Sequence, residues 1–116
     1  MNACTYQATS GAGINGPIEL RDQEKALLEG GKIESSVFQY QIAENVIPQI
    51  GNFLENGYTK EEMKMVNETR KILHHPDLKI TATTVRVPVY NCHSESINIE
   101  FEKDFKLRTC KNLGKF

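Results

Sequence analysis

The order of apolar and polar positions predicts a strand followed by a helix at the start of the chain. Over residues 2–10 apolar side chains alternate with polar ones, which is the period-two pattern of a β-strand. After a glycine-rich turn, Pro17 stands where the first turn of a helix favours proline. We expect this helix to run from about Pro17 to Glu29, because Gly30 and Gly31 form a usual C-terminal stop.

The middle of the chain predicts a long loop and then a second helix. Residues 33–58 contain many apolar and aromatic side chains without a clean period, and Pro48 interrupts any long element. We therefore expect mostly loop there, with short helical pieces. Thr59 and Glu62 then form a capping box, and good helix formers continue to Leu73, so that a helix is predicted over this segment.

Two further strands are predicted over about residues 79–90 and 96–103. The first places three valines on one face and Arg86 on the other. The second turns three apolar side chains inward, namely Ile97, Ile99 and Phe101. Because residues 91–95 are a short connection, these strands are expected to pair antiparallel. The predicted fold is α/β, or equally α+β, with a mixed, mainly antiparallel sheet covered by helices.

Composition narrows the class of protein. A chain of 116 residues with 39% apolar residues, 25% charged residues and a net charge of −1 is an ordinary globular domain, which excludes disordered, collagen-like and disulfide-scaffold classes. No signal peptide or membrane span is predicted. The basic C-terminal segment lacks an RNA-binding or zinc motif, so no nucleic-acid partner is expected. Three cysteines favour a reducing compartment, the cytosol: Cys4, Cys92 and Cys110.

A glycine-rich turn between the first strand and the first helix is one candidate site. Gly11, Gly13 and Gly16 match the spacing G-x-G-x-x-G of a dinucleotide-binding fingerprint. However, the preceding strand is polar, whereas the first strand of a Rossmann fold is buried on both faces. The alternative is a glycine turn that lets backbone pass close to another group, and the sequence favours this alternative.

Other candidate residues carry charge or titrate near neutral pH. His93 lies in a turn between strands, where a histidine is either an acid/base group or a structural residue. Arg86 precedes it by seven residues, and a guanidinium on a strand suits bidentate capture of a carboxylate. Glu61 and Lys64 share one helix face, where they form either a solvated ion pair or part of a site. Cys92 and His93 lack a second pair of ligands, so no metal site is predicted.

Three segments carry a resemblance to a known family. They are TYQATSGAG at 5–13, KEEMK with ETRKIL at 60–73, and VRVPVYNCHS at 85–94. Together they resemble aspartate-semialdehyde dehydrogenase, in order and without obvious gaps, over about residues 2–105. The resemblance implies the fold of the catalytic domain of glyceraldehyde-phosphate-dehydrogenase-like enzymes, assembled as a homodimer. It also implies NADPH-dependent reduction of aspartyl 4-phosphate to the semialdehyde in amino-acid biosynthesis, toward lysine, threonine and methionine, through a cysteine thioester.

The resemblance assigns a role to each matching residue. His93 would be the general acid/base, and Gln7 would orient the substrate at the reacting carbon. Arg86 would bind the substrate carboxylate. Glu61 would bind the substrate amino group, and Lys64 the phosphate.

The resemblance also places the NADP cofactor, and it shows what this chain lacks. The nicotinamide end of NADP would lie against the glycine-rich turn, formed by Ser10, Gly11, Ala12 and Gly13. The family's N-terminal NADP-binding domain and its Asn-Cys nucleophile segment have no counterpart here, and residues 106–116 diverge from the family's ending. Neither Cys4 nor Cys92 occupies the place of the nucleophile.

Three hypotheses follow for residues 1–116, which we interpret as a single substrate-binding and dimerisation domain. The first is a part of aspartate-semialdehyde dehydrogenase that holds the substrate clamp and the acid/base but no nucleophile. Such a chain would be inactive by itself and would bind NADP poorly. The second is a non-catalytic, dimerising module that binds anions. The third is an inactive gene fragment.

Overall fold

The computed structural model describes residues 1–104 and residue 106, and it contains one mixed sheet and two helices of an α+β fold. The predicted fold class is therefore confirmed. The predicted divergent tail and Cys110 lie outside the described residues, apart from Lys106. In chain order the elements are β1 (Asn2–Gln7), a 3-10 helix (Thr9–Ala12), α1 (Asn15–Glu29), α2 (Lys60–Ile72), β2 (Thr81–Arg86) and β3 (Ser94–Asn98).

The sheet has the strand order β2-β1-β3. β1 pairs in parallel with β2 and antiparallel with β3, so the predicted antiparallel pairing of the last two strands is wrong. The reason lies in the connection after β2. Its carbonyl groups at Val89 and Tyr90 accept hydrogen bonds from the Thr9 and Ser10 N–H groups at 2.8 and 3.1 Å. The chain is thereby carried past the end of β1, and β3 returns along the other edge of β1.

One face of β1 and β2 is covered and the other is open. The covered side chains alternate with more exposed ones along both strands, as the pleat requires. β2 is shorter than predicted, since Pro88 has no N–H group and the segment after Arg86 bends away. The covered residues are Ala3, Thr5, Gln7, Ala82, Thr84 and Arg86.

The apolar side chains at and after β3 do not point into a core, which corrects the inward orientation predicted for Ile97, Ile99 and Phe101. Each of them is about half exposed. Among the described residues, α2 packs against β2 and α1 packs against the 3-10 helix. No helix in this part of the chain therefore covers β3.

Both helices begin and end close to the predicted positions. α2 begins with the predicted capping box: Glu62 N–H donates to Thr59 Oγ1, and Thr59 N–H donates to Glu62 Oε2. α1 ends at Gly30, which adopts the left-handed conformation at φ 67°. Neither helix among the described residues is long and apolar enough to cross a membrane.

The segment between α1 and α2 contains no helix, so the short helical pieces expected at 33–58 do not form. Two buried polar side chains of α1 organise this long loop instead. Gln23 Oε1 accepts the N–H groups of Ile42 and Ala43 at 2.8 and 3.0 Å, while Glu19 accepts those of residues 36–38. The main apolar core therefore lies between α1 and this loop, and it consists of Leu20, Phe38, Ile42, Ala43 and Ile47.

Candidate functional site

The candidate residues meet where β1 and β2 end side by side. Gln7 is the last residue of β1, Arg86 is the last residue of β2, and the parallel register pairs them. Their side chains consequently share the covered face of the sheet. Gln7 is 7% exposed and Arg86 is 6% exposed, so both polar groups are held in a largely water-free environment.

The Arg86 guanidinium is fixed by two kinds of contact. Its Nη1 donates a hydrogen bond to the Ala8 carbonyl oxygen at 2.6 Å, and its Cζ lies 5.9 Å from the centre of the Phe38 ring. Burial lowers the pKa of Arg86, and the negative charge of Glu61 acts in the opposite direction. Because the ordinary pKa of a guanidinium lies far above neutral, Arg86 stays a cation.

The start of α2 brings an acidic and a basic side chain to the same place. Gln7 Nε2 donates to Thr5 Oγ1 at 3.3 Å and to Glu61 Oε1 at 3.4 Å. Lys64 Nζ lies 3.6 Å from the same Glu61 oxygen, and the Lys64 side chain is 56% exposed. The Glu61 carboxylate thus lies between an amide and an ammonium group, with the ammonium on the solvent side.

His93 reaches the site from the turn before β3. Its Nδ1 accepts a hydrogen bond from the Ala8 N–H group at 3.2 Å. The imidazole and the guanidinium also approach each other across Gly11. A Cβ atom at Gly11 would lie 2.7 Å from Arg86 Nη1 and 3.1 Å from His93 Nε2. The absence of a side chain at Gly11 therefore allows the guanidinium and the imidazole to approach this turn.

The glycine-rich turn lets backbone pass close to another group, which is the second of the two interpretations given above. A Cβ atom at Gly16 would lie 2.1 Å from the Thr9 carbonyl oxygen, so Gly16 lets the start of α1 cross the 3-10 helix at close range. Gly13 adopts φ 85° with open space beside it, and residues 11–13 are exposed. The turn therefore exposes its backbone to solvent at residues 11–13.

Two cysteines lie among the described residues, and both are free thiols. Cys4 is on the face of β1 opposite Gln7, because successive side chains alternate. Cys92 precedes His93 in an exposed position at φ 70°.

Sequence reasoning missed two residues that build the site. Phe38 packs over Arg86, and Glu19 holds the backbone that carries Phe38. The available signal was the pair Glu19 and Gln23, polar residues four apart that share a helix face with Leu20.

The comparisons with known proteins indicate one kind of enzyme. A family model described as "Semialdehyde dehydrogenase, dimerisation domain" matches residues 1–115. Aspartate-semialdehyde dehydrogenase of Bacillus subtilis (strain 168) is 51% identical over 96% of the chain, and that of Aquifex aeolicus (strain VF5) is 52% identical over 96%. The match spans 34% and 33% of these two proteins, so the chain corresponds to about a third of the length of such relatives.

Solved structures give the same result. Aspartate semialdehyde dehydrogenase II from Vibrio cholerae, described as complexed with ASA, superposes with a TM-score of 0.80 at 53% identity, covering 81% of this chain and 28% of that one. Aspartate semialdehyde dehydrogenase from Francisella tularensis superposes with a TM-score of 0.83 at 26% identity, covering 96% of this chain and 36% of that one.

Proposed function

Because the chain belongs to the semialdehyde dehydrogenase dimerisation-domain family, we propose that it supplies the substrate clamp and the acid/base group of an aspartate-semialdehyde dehydrogenase. The reaction is NADPH-dependent reductive dephosphorylation of aspartyl 4-phosphate to aspartate semialdehyde. The observation that supports this proposal best is the meeting of Arg86, Glu61, Lys64, Gln7 and His93 at the ends of β1 and β2.

Arg86 binds the substrate carboxylate in this proposal. A guanidinium has five N–H donors in a fixed plane, and the described contacts of Arg86 use Nη1 for the Ala8 carbonyl. A carboxylate can therefore be bound by two of the remaining donors. Because the guanidinium is already desolvated and fixed, little ordering has to accompany binding.

The start of α2 binds the other charged groups. Glu61 holds the substrate ammonium, and Lys64, on the solvent side, neutralises the phosphate. Gln7, hydrogen-bonded to both Thr5 and Glu61, directs its amide toward the reacting carbonyl. Separate contacts at each end of a small, multiply charged substrate restrict it to one orientation, which is how positioning accelerates a reaction.

His93 moves the proton. Ala8 N–H holds Nδ1, and Nε2 lies beside Gly11, so that the proton is exchanged from Nε2 at the glycine-rich turn. The turn formed by Ser10, Gly11, Ala12 and Gly13 receives the nicotinamide end of NADP, which supplies the hydride when bound. This proposal places the cysteine nucleophile elsewhere in the complete enzyme, because neither Cys4, which faces the other side of the sheet from Gln7, nor Cys92 matches the nucleophile segment of the family.

Replacing Arg86 tests the clamp. In the complete enzyme Arg86→Lys should lower kcat/KM for aspartate semialdehyde about 100-fold, because an ammonium cannot make the two-pronged contact and the loss of a charged hydrogen bond is worth about 2–3 kcal/mol. Steady-state kinetics measure this. Arg21→Lys, on the exposed side of α1, is the control and should change kcat/KM less than about twofold. An Arg86→Lys enzyme with unchanged kcat/KM would show that Arg86 does not bind substrate.

The chain by itself should be inactive. We expect the purified 116-residue chain to show no NADP-dependent oxidation of aspartate semialdehyde in the presence of phosphate, since neither cysteine among the described residues matches the family's nucleophile and thioester formation requires a thiolate at that place. Absorbance of NADPH is the assay. Turnover that exceeded a buffer blank and disappeared in His93→Ala would contradict this prediction and place the nucleophile within the chain.

A further inference from the structure

We infer that Phe38 is a positioning residue for Arg86, and that Glu19 anchors Phe38. Neither residue is among the substrate contacts proposed above. The inference rests on the proposed function only for the identity of what Arg86 binds. The contacts that fix the guanidinium are a property of the chain itself.

The first step of the argument is the packing of the guanidinium. The centre of the Phe38 ring lies 5.9 Å from Arg86 Cζ, and both side chains are more than nine-tenths buried. A cation within about 6 Å of an aromatic ring is attracted by the ring electrons, and more strongly when both groups are desolvated. The ring and the Ala8 carbonyl at 2.6 Å from Nη1 together restrict the guanidinium plane.

The second step is the attachment of Phe38. Glu19 Oε1 accepts the Phe38 N–H group at 3.2 Å, and Glu19 Oε2 accepts both the N–H and the hydroxyl of Ser36 at 2.8 Å. The Val37 N–H group donates to the same carboxylate. One buried carboxylate on α1 therefore fixes three successive loop residues, and the aromatic ring has little freedom to leave Arg86.

The third step is the backbone of Arg86. Arg86 N–H donates to the Ile47 carbonyl and Ile47 N–H donates to the Arg86 carbonyl, both at 2.9 Å. The loop that carries Phe38 is thus bound to Arg86 at the backbone as well as at the side chain. Loop and guanidinium form one unit, so that a change at Phe38 acts on the orientation of the guanidinium.

Phe38 is also a member of the apolar core, so the test has to separate a packing role from a positioning role. Phe38→Leu keeps an apolar side chain but removes the aromatic ring. Phe38→Tyr keeps the ring. Phe53, an exposed aromatic residue of the same loop, provides the matched control Phe53→Leu.

The first measurement uses NMR on the full chain with labelled arginine, and Arg86→Lys identifies the Arg86 Nε–H signal by deleting it. We expect nuclear Overhauser contacts between the Phe38 ring and the Arg86 side chain, and a ring-current displacement of the Nε–H signal. The displacement should disappear in Phe38→Leu, persist in Phe38→Tyr and Phe53→Leu, and decrease in Glu19→Gln. The absence of these contacts in the unsubstituted chain would overturn the inference, and so would an unchanged Nε–H signal in folded Phe38→Leu. The first of these outcomes needs no variant that has to fold without the Phe38 ring.

The second measurement titrates the chain with succinate, a dicarboxylate probe. Phe38→Leu should weaken succinate binding about tenfold, the scale of one desolvated cation–π contact, and Phe38→Tyr should restore it to within about twofold. Equal binding by the unsubstituted chain and Phe38→Leu would overturn the inference. If the unsubstituted chain bound no succinate while the Phe38–Arg86 contacts were present, the carboxylate role in the proposed function would fail and the positioning role would stand.

Discussion

At the scale of single residues, Gly16 lies where the start of α1 crosses the 3-10 helix and leaves no space for a side chain. Gly16→Ala should destabilise the chain by about 3 kcal/mol, because the added Cβ atom would lie 2.1 Å from a backbone oxygen that cannot move without displacing the 3-10 helix. Urea unfolding followed by circular dichroism measures the change. Gly31→Ala is the control: its Cβ atom would make ordinary contacts at 3.7 Å, and stability should change by less than about 1 kcal/mol.

Glu19 makes stability depend on pH. Burial tends to raise the pKa of Glu19, but the hydrogen bonds donated by Val37, Ser36 and Phe38 outweigh burial and hold this pKa below its ordinary value of 4.5. A lowered pKa means that the stabilisation is complete above the ordinary value and is lost as pH falls through the lowered one. Glu19→Gln should therefore cost about 2 kcal/mol at pH 7, the scale of hydrogen bonds to a charged group, and progressively less in acid.

Unfolding free energies at several acidic pH values check this dependence. Glu29→Gln is the control, because Glu29 forms an exposed pair with Lys25 at 4.0 Å, and such pairs contribute little. Parallel pH profiles for the unsubstituted chain and Glu19→Gln would show that the ionisation of Glu19 does not contribute to the pH dependence of stability.

The sequence identified some of these residues and not others for a physical reason. Arg86 was a candidate because a guanidinium on a strand suits the capture of a carboxylate, and His93 because it follows Arg86 by seven residues and matches a motif of the resembling family. Phe38 and Glu19 have ordinary identities, an aromatic residue in a loop and an acid on a helix. The spacing of Glu19 and Gln23 indicates two polar residues on the apolar face of α1, but their contacts with the loop, and the contact of Phe38 with Arg86, exist only when α1, the loop and β2 meet.

At the scale of elements, the capping box of α2 both starts the helix and attaches it to the sheet. Glu62 Oε2 accepts the Thr59 N–H group, while Glu62 Oε1 accepts the Thr84 N–H group on the outer edge of β2 at 3.3 Å. These hydrogen bonds therefore fix the position of the helix that carries Glu61 relative to the strand that carries Arg86.

Thr59→Ala should cost about 1–2 kcal/mol, since it removes the oxygen that accepts the Glu62 N–H group. Thermal unfolding followed by circular dichroism would measure this loss. Asn67→Ala, exposed in the middle of the same helix, should leave stability equal or slightly higher because alanine is the better helix former. A larger loss from Asn67→Ala than from Thr59→Ala would contradict the role of the capping box.

The helices were predictable because their start and stop signals are local: a capping box for α2 and glycine at the end of α1. β1 was also predictable, except that it ends at Gln7 and not at residue 10. The places of β2 and β3 on either side of β1 were not predictable, because a short connection between two strands suggests a hairpin in which they pair with each other. The hydrogen bonds of residues 9 and 10 to the connection, which direct β3 to the far edge of β1, are tertiary contacts.

At the scale of the whole molecule, we expect the chain to associate. Several large apolar side chains are about half exposed, including Tyr6, Ile97 and Phe53, and such side chains can be covered by contact with another protein. Membership of a dimerisation-domain family agrees with a homodimer. Light scattering should give the mass of a dimer or a larger species, and a monomer that persists at high concentration would contradict this prediction.

The central position of β1 in the sheet also determines when the protein can fold. β1 is synthesised before α1, α2, β2 and β3, but the residues that pair with it lie far along the chain, at 81–86 and 94–98. While the ribosome is still translating the chain, α1 and α2 can form from local contacts, whereas β1 has hydrogen-bonding partners on neither side. Contacts between residues so distant in sequence make folding slow, and unpaired strands attract other chains. The sheet therefore forms later than the helices. The nascent chain is most prone to aggregate in the interval before β3 leaves the ribosome.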